Sequence, residues 1–229
     1  MILYKQIRLI LLAIIILVCS INNVKAQNLS EETKLELMNL YNQSQEFLSK
    51  GDYDKAIELK TQVYNKTQNL GDLKIMGGMS AFDIAQIYST VRNDLKNYIF
   101  WLERAEQCDF PGASGRLGDA YLTGQDGVLQ NFQKAKYYYE KANEGRCKWI
   151  LATMYGENGE LGRNDTEWLK YTNQAVEKDD PNAQFWLGLY YLDGKIVRKD
   201  LNKGLELIKK AAQQNHIKAI RFLEENNIH

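Results

Sequence analysis

Residues 183–194 read Ala183-Gln184-Phe185-Trp186-Leu187-Gly188-Leu189-Tyr190-Tyr191-Leu192-Asp193-Gly194. Small and apolar residues fall at helical spacing along this stretch, and it closes on a glycine, which releases a helix. The same phrase stands upstream as Ala113-x-x-x-Leu117-Gly118-x-x-Tyr121-x-x-Gly124. A loop follows each copy, then a second apolar-periodic run: Lys134-Ala135 to Lys141-Ala142 after the first, Leu205 to Ala212 and His216 after the second. Self-similarity at a period of about 33 to 47 residues signals stacked helical hairpins, in which no single repeat can bury its own apolar face. The expected fold is all-α: a right-handed α-solenoid of stacked antiparallel helix pairs with a C-terminal capping helix.

From Asn28 onward there is almost no strand-type alternation. Asn28 followed by Glu31 suits a capping box and predicts a helix through Leu35, Leu37, Leu40, Tyr41 and Phe47. Gly51 then releases that helix, Asp52 caps the next, and Ala56 sits where the two must approach closely. A second pair is expected over about Asp72 to Gln107, with Ile84-Ala85-x-x-Tyr88 as an altered copy of the phrase and Asn93-Asp94 capping its second helix. The third pair is the Ala113 copy. The fourth runs from Cys147-x-x-x-Leu151-Ala152-x-x-Tyr155 through a Gly-rich loop to Trp168 and Ala175. The fifth opens on Asp180-Pro181, an N-cap with proline at the first helical position. A last helix over Ile217 to Glu225 reads as the cap of the stack.

Two resemblances follow from these residues. Gly51-Asp52-Tyr53-Asp54-Lys55-Ala56 resembles the turn of a tetratricopeptide repeat. The longer phrase Ala-x-x-x-Leu-Gly-x-x-Tyr-x-x-Gly, its loop and its closing Ala-Ala resemble the Sel-like repeat, over about residues 80–223. The organisation expected is a signal peptide at 1–26, a tetratricopeptide-like helix pair at 27–71, and a Sel-like array with its terminal cap at 72–229. Ile84-Ala85 in place of Leu-Gly, and Ala152 in place of glycine, depart from the pattern and imply local changes of superhelical twist.

The N-terminus is a different material. Lys5 and Arg8 precede an apolar run from Leu9 to Val18, and Val24-Lys25-Ala26 follows, the order of a secretory signal peptide cleaved after Ala26. The run is short for a bilayer span of about 20 residues; an uncleaved anchor is the alternative. Val18, just before Cys19, is bulkier than the Gly, Ala or Ser of a lipoprotein box, which argues against lipid attachment there. Export to the periplasm or medium of a bacterium is therefore expected. Cleavage would remove Lys5, Arg8 and Lys25, so the basic residues fall from 29 to 26 against 29 acids. No broad basic face for nucleic acid or an anionic membrane is expected.

Chemistry-bearing motifs are scarce. The chain has two histidines, His216 and His229; His216 lies at a repeat junction, where a capping role is expected. No Cys/His spacing suits zinc, no acidic loop suits calcium, and no phosphate-binding glycine loop is present. No cofactor or metal is expected. Cys108 and Cys147 fall at separate repeat junctions. Stacked helices lie about 8–10 Å apart, whereas a disulfide needs Cα atoms within about 7 Å, so two separate buried thiols are expected. Gly77-Gly78 reads as a helix-packing pair, and Tyr137-Tyr138-Tyr139 as a packed second helix with one exposed ring.

The resemblance implies that the first helix of each pair lines a concave surface. Two residues after its small position the chain reads Phe82, Gly115, Trp149 and Phe185; the next row reads Asp83, Arg116, Ile150 and Trp186; three further on lie Gln86, Asp119, Thr153 and Leu189. Trp, Tyr and Arg dominate binding hot spots. The candidate binding residues are Phe82, Arg116, Asp119, Trp149, Phe185, Trp186 and Leu189, against the alternative that the rings pack between repeats. The expected function is an exported, non-catalytic scaffold that binds a protein or peptide. An envelope assembly factor is the alternative. A β-lactam-binding or -hydrolysing enzyme, proposed for a cysteine-rich branch of the family, would need paired cysteines within each repeat, and they are missing here.

Overall fold

The computed structural model describes residues 30–124 and 127–228; residues 1–26, expected to be a signal peptide, with Cys19 among them, and His229 lie outside them. The described chain forms eleven α-helices and no strand. It divides into two compact units, one ending at Phe110 and one beginning at Pro111. The hairpin over 72–107 therefore packs with the tetratricopeptide-like pair, although its phrase resembles the repeats that follow.

In the first unit, α1 (Glu31–Lys50), α2 (Tyr53–Thr67), α3 (Lys74–Thr90) and α4 (Leu95–Gln107) pack in sequence order. The cap of α1 is Ser30, whose hydroxyl accepts the Thr33 N–H at 3.2 Å; Asn28, the expected cap, lies outside the described residues. Gly51 ends α1 at φ 78°, a left-handed conformation that a side chain would strain, and the Asp52 carboxylate accepts the Lys55 N–H to open α2. Leu37, Tyr41, Val63 and Met76 form the core between α1, α2 and α3. Gly77 and Gly78 bring α3 close to its neighbours: an added Cβ at Gly78 would lie 2.8 Å from Phe110 Cβ and 2.9 Å from Cys108 Cβ.

The second unit holds α5 (Ala113–Thr123), α6 (Phe132–Lys141), α7 (Gly145–Met154), α8 (Asp165–Glu177), α9 (Pro181–Asp193), α10 (Leu201–Gln213) and α11 (Ile217–Glu225). Each helix packs on the next. Asn131, Asn164, Asp180 and Asp200 each cap a helix with a side-chain oxygen. The α11 helix packs on α10, and its Ala219 is buried with Phe185, Ile208 and Ala211.

One bond recurs in every hairpin that carries the phrase. The carbonyl of its tyrosine accepts the N–H of the residue that caps the following helix: Tyr88 from Asp94, Tyr121 from Asn131, Tyr155 from Asn164 and Tyr191 from Asp200, at 2.8 to 3.0 Å. The loops between differ in length, yet each hairpin is closed at the same point. The small residue three places before the tyrosine sets how near the partner helix comes. At Gly118 an added Cβ would lie 2.6 Å from the Tyr139 ring, and at Gly188 it would lie 2.8 Å from the Gly204 carbonyl oxygen. Ala152 is accommodated in the fourth hairpin, where the smaller Thr172 stands at the register of Tyr139 and Ile208.

Candidate binding face

The first helices of the second unit, α5, α7 and α9, carry six of the seven candidate residues. Phe82 belongs to the first unit, where its half-buried ring lies 5.0 Å from that of Phe110. Its neighbour Asp83 is buried and accepts from Lys60 Nζ at 2.8 Å, Gln45 Nε2 at 3.2 Å and the Tyr41 hydroxyl at 3.4 Å. Lys60 is itself fully buried, with Nζ 4.5 Å from the Tyr41 ring centroid. The ion pair joins α2 to α3, and the Tyr41 and Gln45 hydrogen bonds add α1, at the position that the repeat register assigns to an exposed row.

In the second unit the register separates rings that pack from rings that face out. Phe185 is buried in the core against Ile208, Ala211 and Ala219, and its ring meets that of His216 at 4.9 Å. It packs between repeats and is not available to a partner. Leu189 is half-buried against the same core. Trp186, one residue on, keeps 37 % of its surface exposed, with Lys218 Nζ 5.4 Å from its centroid. Trp149 is half-buried and Arg116 is exposed.

Asp119 belongs to a polar network that was missed from the sequence. It accepts the hydroxyl of the fully buried Tyr139 at 2.6 Å, and its two carboxylate oxygens accept Nη1 and Nη2 of Arg146 at 3.1 and 2.9 Å. Burial first, then the hydrogen bond to the Asp119 anion, pushes the Tyr139 phenol far above its usual range. Arg146 precedes the small position of its own repeat by one residue, and Asp119 follows the small position of the preceding repeat by six. Charge complementarity between those two rows of adjacent repeats was the available signal.

Cys147 lies beneath this network. Its buried thiol is pushed up to about 12, by burial first and then by the Glu144 carboxylate, whose Oε2 lies 3.7 Å from Sγ. A thiol so disposed is not a nucleophile at neutral pH. Lys148, also buried, donates to the carbonyls of Tyr139 and Glu140, satisfying the end of α6; burial lowers its pKa. Cys108 and Cys147 are both free and buried. Tyr139 is buried, Tyr138 stacks on Tyr121, and Tyr137 is exposed, as the triplet's spacing predicts. Among the described residues no group of three His, Cys, Asp or Glu side chains could hold a metal ion. No described helix is long and apolar enough to cross a membrane.

Comparison with known proteins bears on this architecture. The Sel1 repeat model matches residues 113–145 and 181–216. An ERAD-associated E3 ubiquitin-protein ligase component of Arabidopsis thaliana is 30 % identical over 39 % of this chain and 14 % of its own length. The chitin synthase regulator SKT5 of Saccharomyces cerevisiae is 27 % identical over 48 % of this chain and 17 % of its own. The chain thus spans less than a fifth of the length of either relative. A protective antigen of uropathogenic Escherichia coli strains, displaying an SLR fold, superposes with a TM-score of 0.62 at 21 % identity, over 75 % of this chain and 36 % of that one. A Sel1 repeat protein from Oxalobacter formigenes superposes with a TM-score of 0.59 at 18 % identity, over 80 % and 88 %. The matched segments coincide with the α5–α6 and α9–α10 hairpins, so these two hairpins match the Sel1 repeat, and the solved structures share the fold around them.

Proposed function

We propose that this protein is exported and acts as a non-catalytic scaffold, binding a protein or peptide partner on the first-helix face of its second unit. Sel1 repeat proteins are generally protein-interaction scaffolds. One relative is a component of a ubiquitin-protein ligase and the other a regulator of an enzyme, which supports a protein as the partner here. The observation that carries the reading to this face is the exposure of Trp186 beside buried Phe185, at the register position that Arg116, also exposed, holds on α5. A large ring left partly in water, with the Lys218 ammonium 5.4 Å from it, has the composition of a binding hot spot, whereas a ring needed for stacking is buried.

The test is retention of a partner from envelope extract by the immobilised wild-type protein and by Trp186→Ala, with thermal unfolding followed in parallel. A protein retained by wild type and lost from a variant that melts as before supports this face; equal retention overturns it. Export rests on the order Lys5, Arg8, Leu9–Val18 and Val24-Lys25-Ala26. Protein isolated from its native host is expected to begin at Gln27 on N-terminal sequencing, and a start at Met1 overturns cleavage.

A further inference from the structure

Arg146 is held in place more firmly than stability requires. It is the second residue of α7, where the helix dipole opposes a cation. Its side chain is 50 % exposed, so the ion pair with Asp119 contributes little to folding. Nevertheless its orientation is fixed through two layers. The buried Tyr139 hydroxyl holds Asp119, and Asp119 holds the guanidinium through both terminal nitrogens.

A guanidinium carries five N–H groups in a plane, and two of its edges can each take a carboxylate bidentately. Asp119 occupies the edge formed by Nη1 and Nη2. The lateral edge, formed by Nε–H and the outer N–H of Nη2, meets no acceptor among the described residues, and half of the side chain is open to solvent. The nearby acid, Glu144, faces the Cys147 thiol and makes no ion pair with Arg146. Arg116 is exposed on α5, and Trp149 is one turn along α7 from Arg146.

Resting on the partner-binding reading above, we infer that Arg146 takes a carboxylate of an acidic peptide segment on its lateral edge, with Tyr139 and Asp119 as its positioning residues. A planar, pre-oriented fork fits a carboxylate better than a point charge does, and the ordering of the long side chain is complete before the partner arrives. Trp149, one turn along the same helix, offers apolar contact beside the charge.

The test uses the purified protein on an array of random peptides of about twelve residues, with Arg146→Lys, Arg146→Gln and Asp119→Asn alongside and a melting curve for each. Retained peptides are expected to be enriched in Asp and Glu, and replacement of those residues by Asn and Gln is expected to release them. Arg146→Lys, which keeps the charge and loses the fork, is expected to weaken binding about tenfold, as is Arg146→Gln. Asp119→Asn is expected to weaken it by less. Retention without acidic enrichment, or undiminished by either Arg146 variant, overturns the inference and leaves partner binding standing. No retention of any peptide overturns both.

Discussion

Ala219 donates its backbone N–H to Nδ1 of His216 at 3.2 Å, so a ring nitrogen does at α11 what Asp180 Oδ1 does at α9. Nδ1 can accept only when it is unprotonated, which leaves Nε2 to carry the hydrogen toward Asn182 Oδ1, 3.3 Å away. Burial first, and then the charge of Lys218, lower the pKa of His216 below its usual 6.5, while Asp180 pulls the other way.

A pH dependence of stability follows. With the folded-state pKa below the unfolded one, the unfolded chain binds the proton more readily, so the contribution is complete above about pH 6.5 and declines as pH falls through the folded value. Urea midpoints are expected to drop between about pH 7.5 and pH 5. His216→Asn, which caps without titrating, is expected to show a smaller drop. An equal drop in both proteins would refute the assignment.

The Lys60–Asp83 pair invites a second measurement, because both side chains are buried. Asp83→Ala removes the carboxylate opposite a fully buried ammonium and is expected to cost about 3–5 kcal/mol in denaturant unfolding. The double substitution Lys60→Met with Asp83→Leu is expected to recover most of that loss, because two apolar chains need no compensating charge. A double variant as unstable as the single one would show that the pair is indispensable.

The helices were legible because local chemistry marks them. Gly51, Asp52, Asp94, Asp180 and His216 each act at the helix end where the sequence places them. Gly118 and Gly188 stand in the phrase because a Tyr139 ring and a Gly204 carbonyl lie against them. Phe185 and Trp186 are adjacent letters of that phrase, and which one packs depends on the rotation of the next hairpin, a non-local quantity. For the same reason Arg146 escaped notice. Its partner Asp119 lies 27 residues away on another helix, and a register anchored on the small residue did not include the position before it. The Lys60–Asp83 pair was hidden likewise, since a charged residue reads as exposed until its opposite is found.

The two cysteines test burial within each unit. Burial raises the Cys108 thiol pKa and pushes that of Cys147 up to about 12, so neither is a thiolate at neutral pH. Maleimide is expected to leave both untouched in the folded protein and to label both after unfolding without reductant. Recovery of a linked Cys108–Cys147 peptide would contradict two free, buried thiols.

Phe185 and Trp186 separate packing from binding. Phe185 fills a core with Ile208, Ala211 and Ala219, so Phe185→Ala is expected to cost about 3–5 kcal/mol as a cavity forms. Trp186 is 37 % exposed and touches Lys218 and Phe185; truncating it is expected to cost no more than about 2 kcal/mol, within the range of ordinary substitutions. If the ring is a partner anchor, Trp186→Ala lowers affinity by about 1–3 kcal/mol while its melting curve stays near that of wild type. Arg116→Ala, at an exposed position, is expected to cost no more than about 1 kcal/mol in unfolding, as for a surface charge, and to weaken the same partner. Thermal unfolding and affinity measured side by side on the three variants distinguish the roles. A collapsed melting curve for Trp186→Ala, together with unchanged binding for Arg116→Ala, would place both residues outside any binding face.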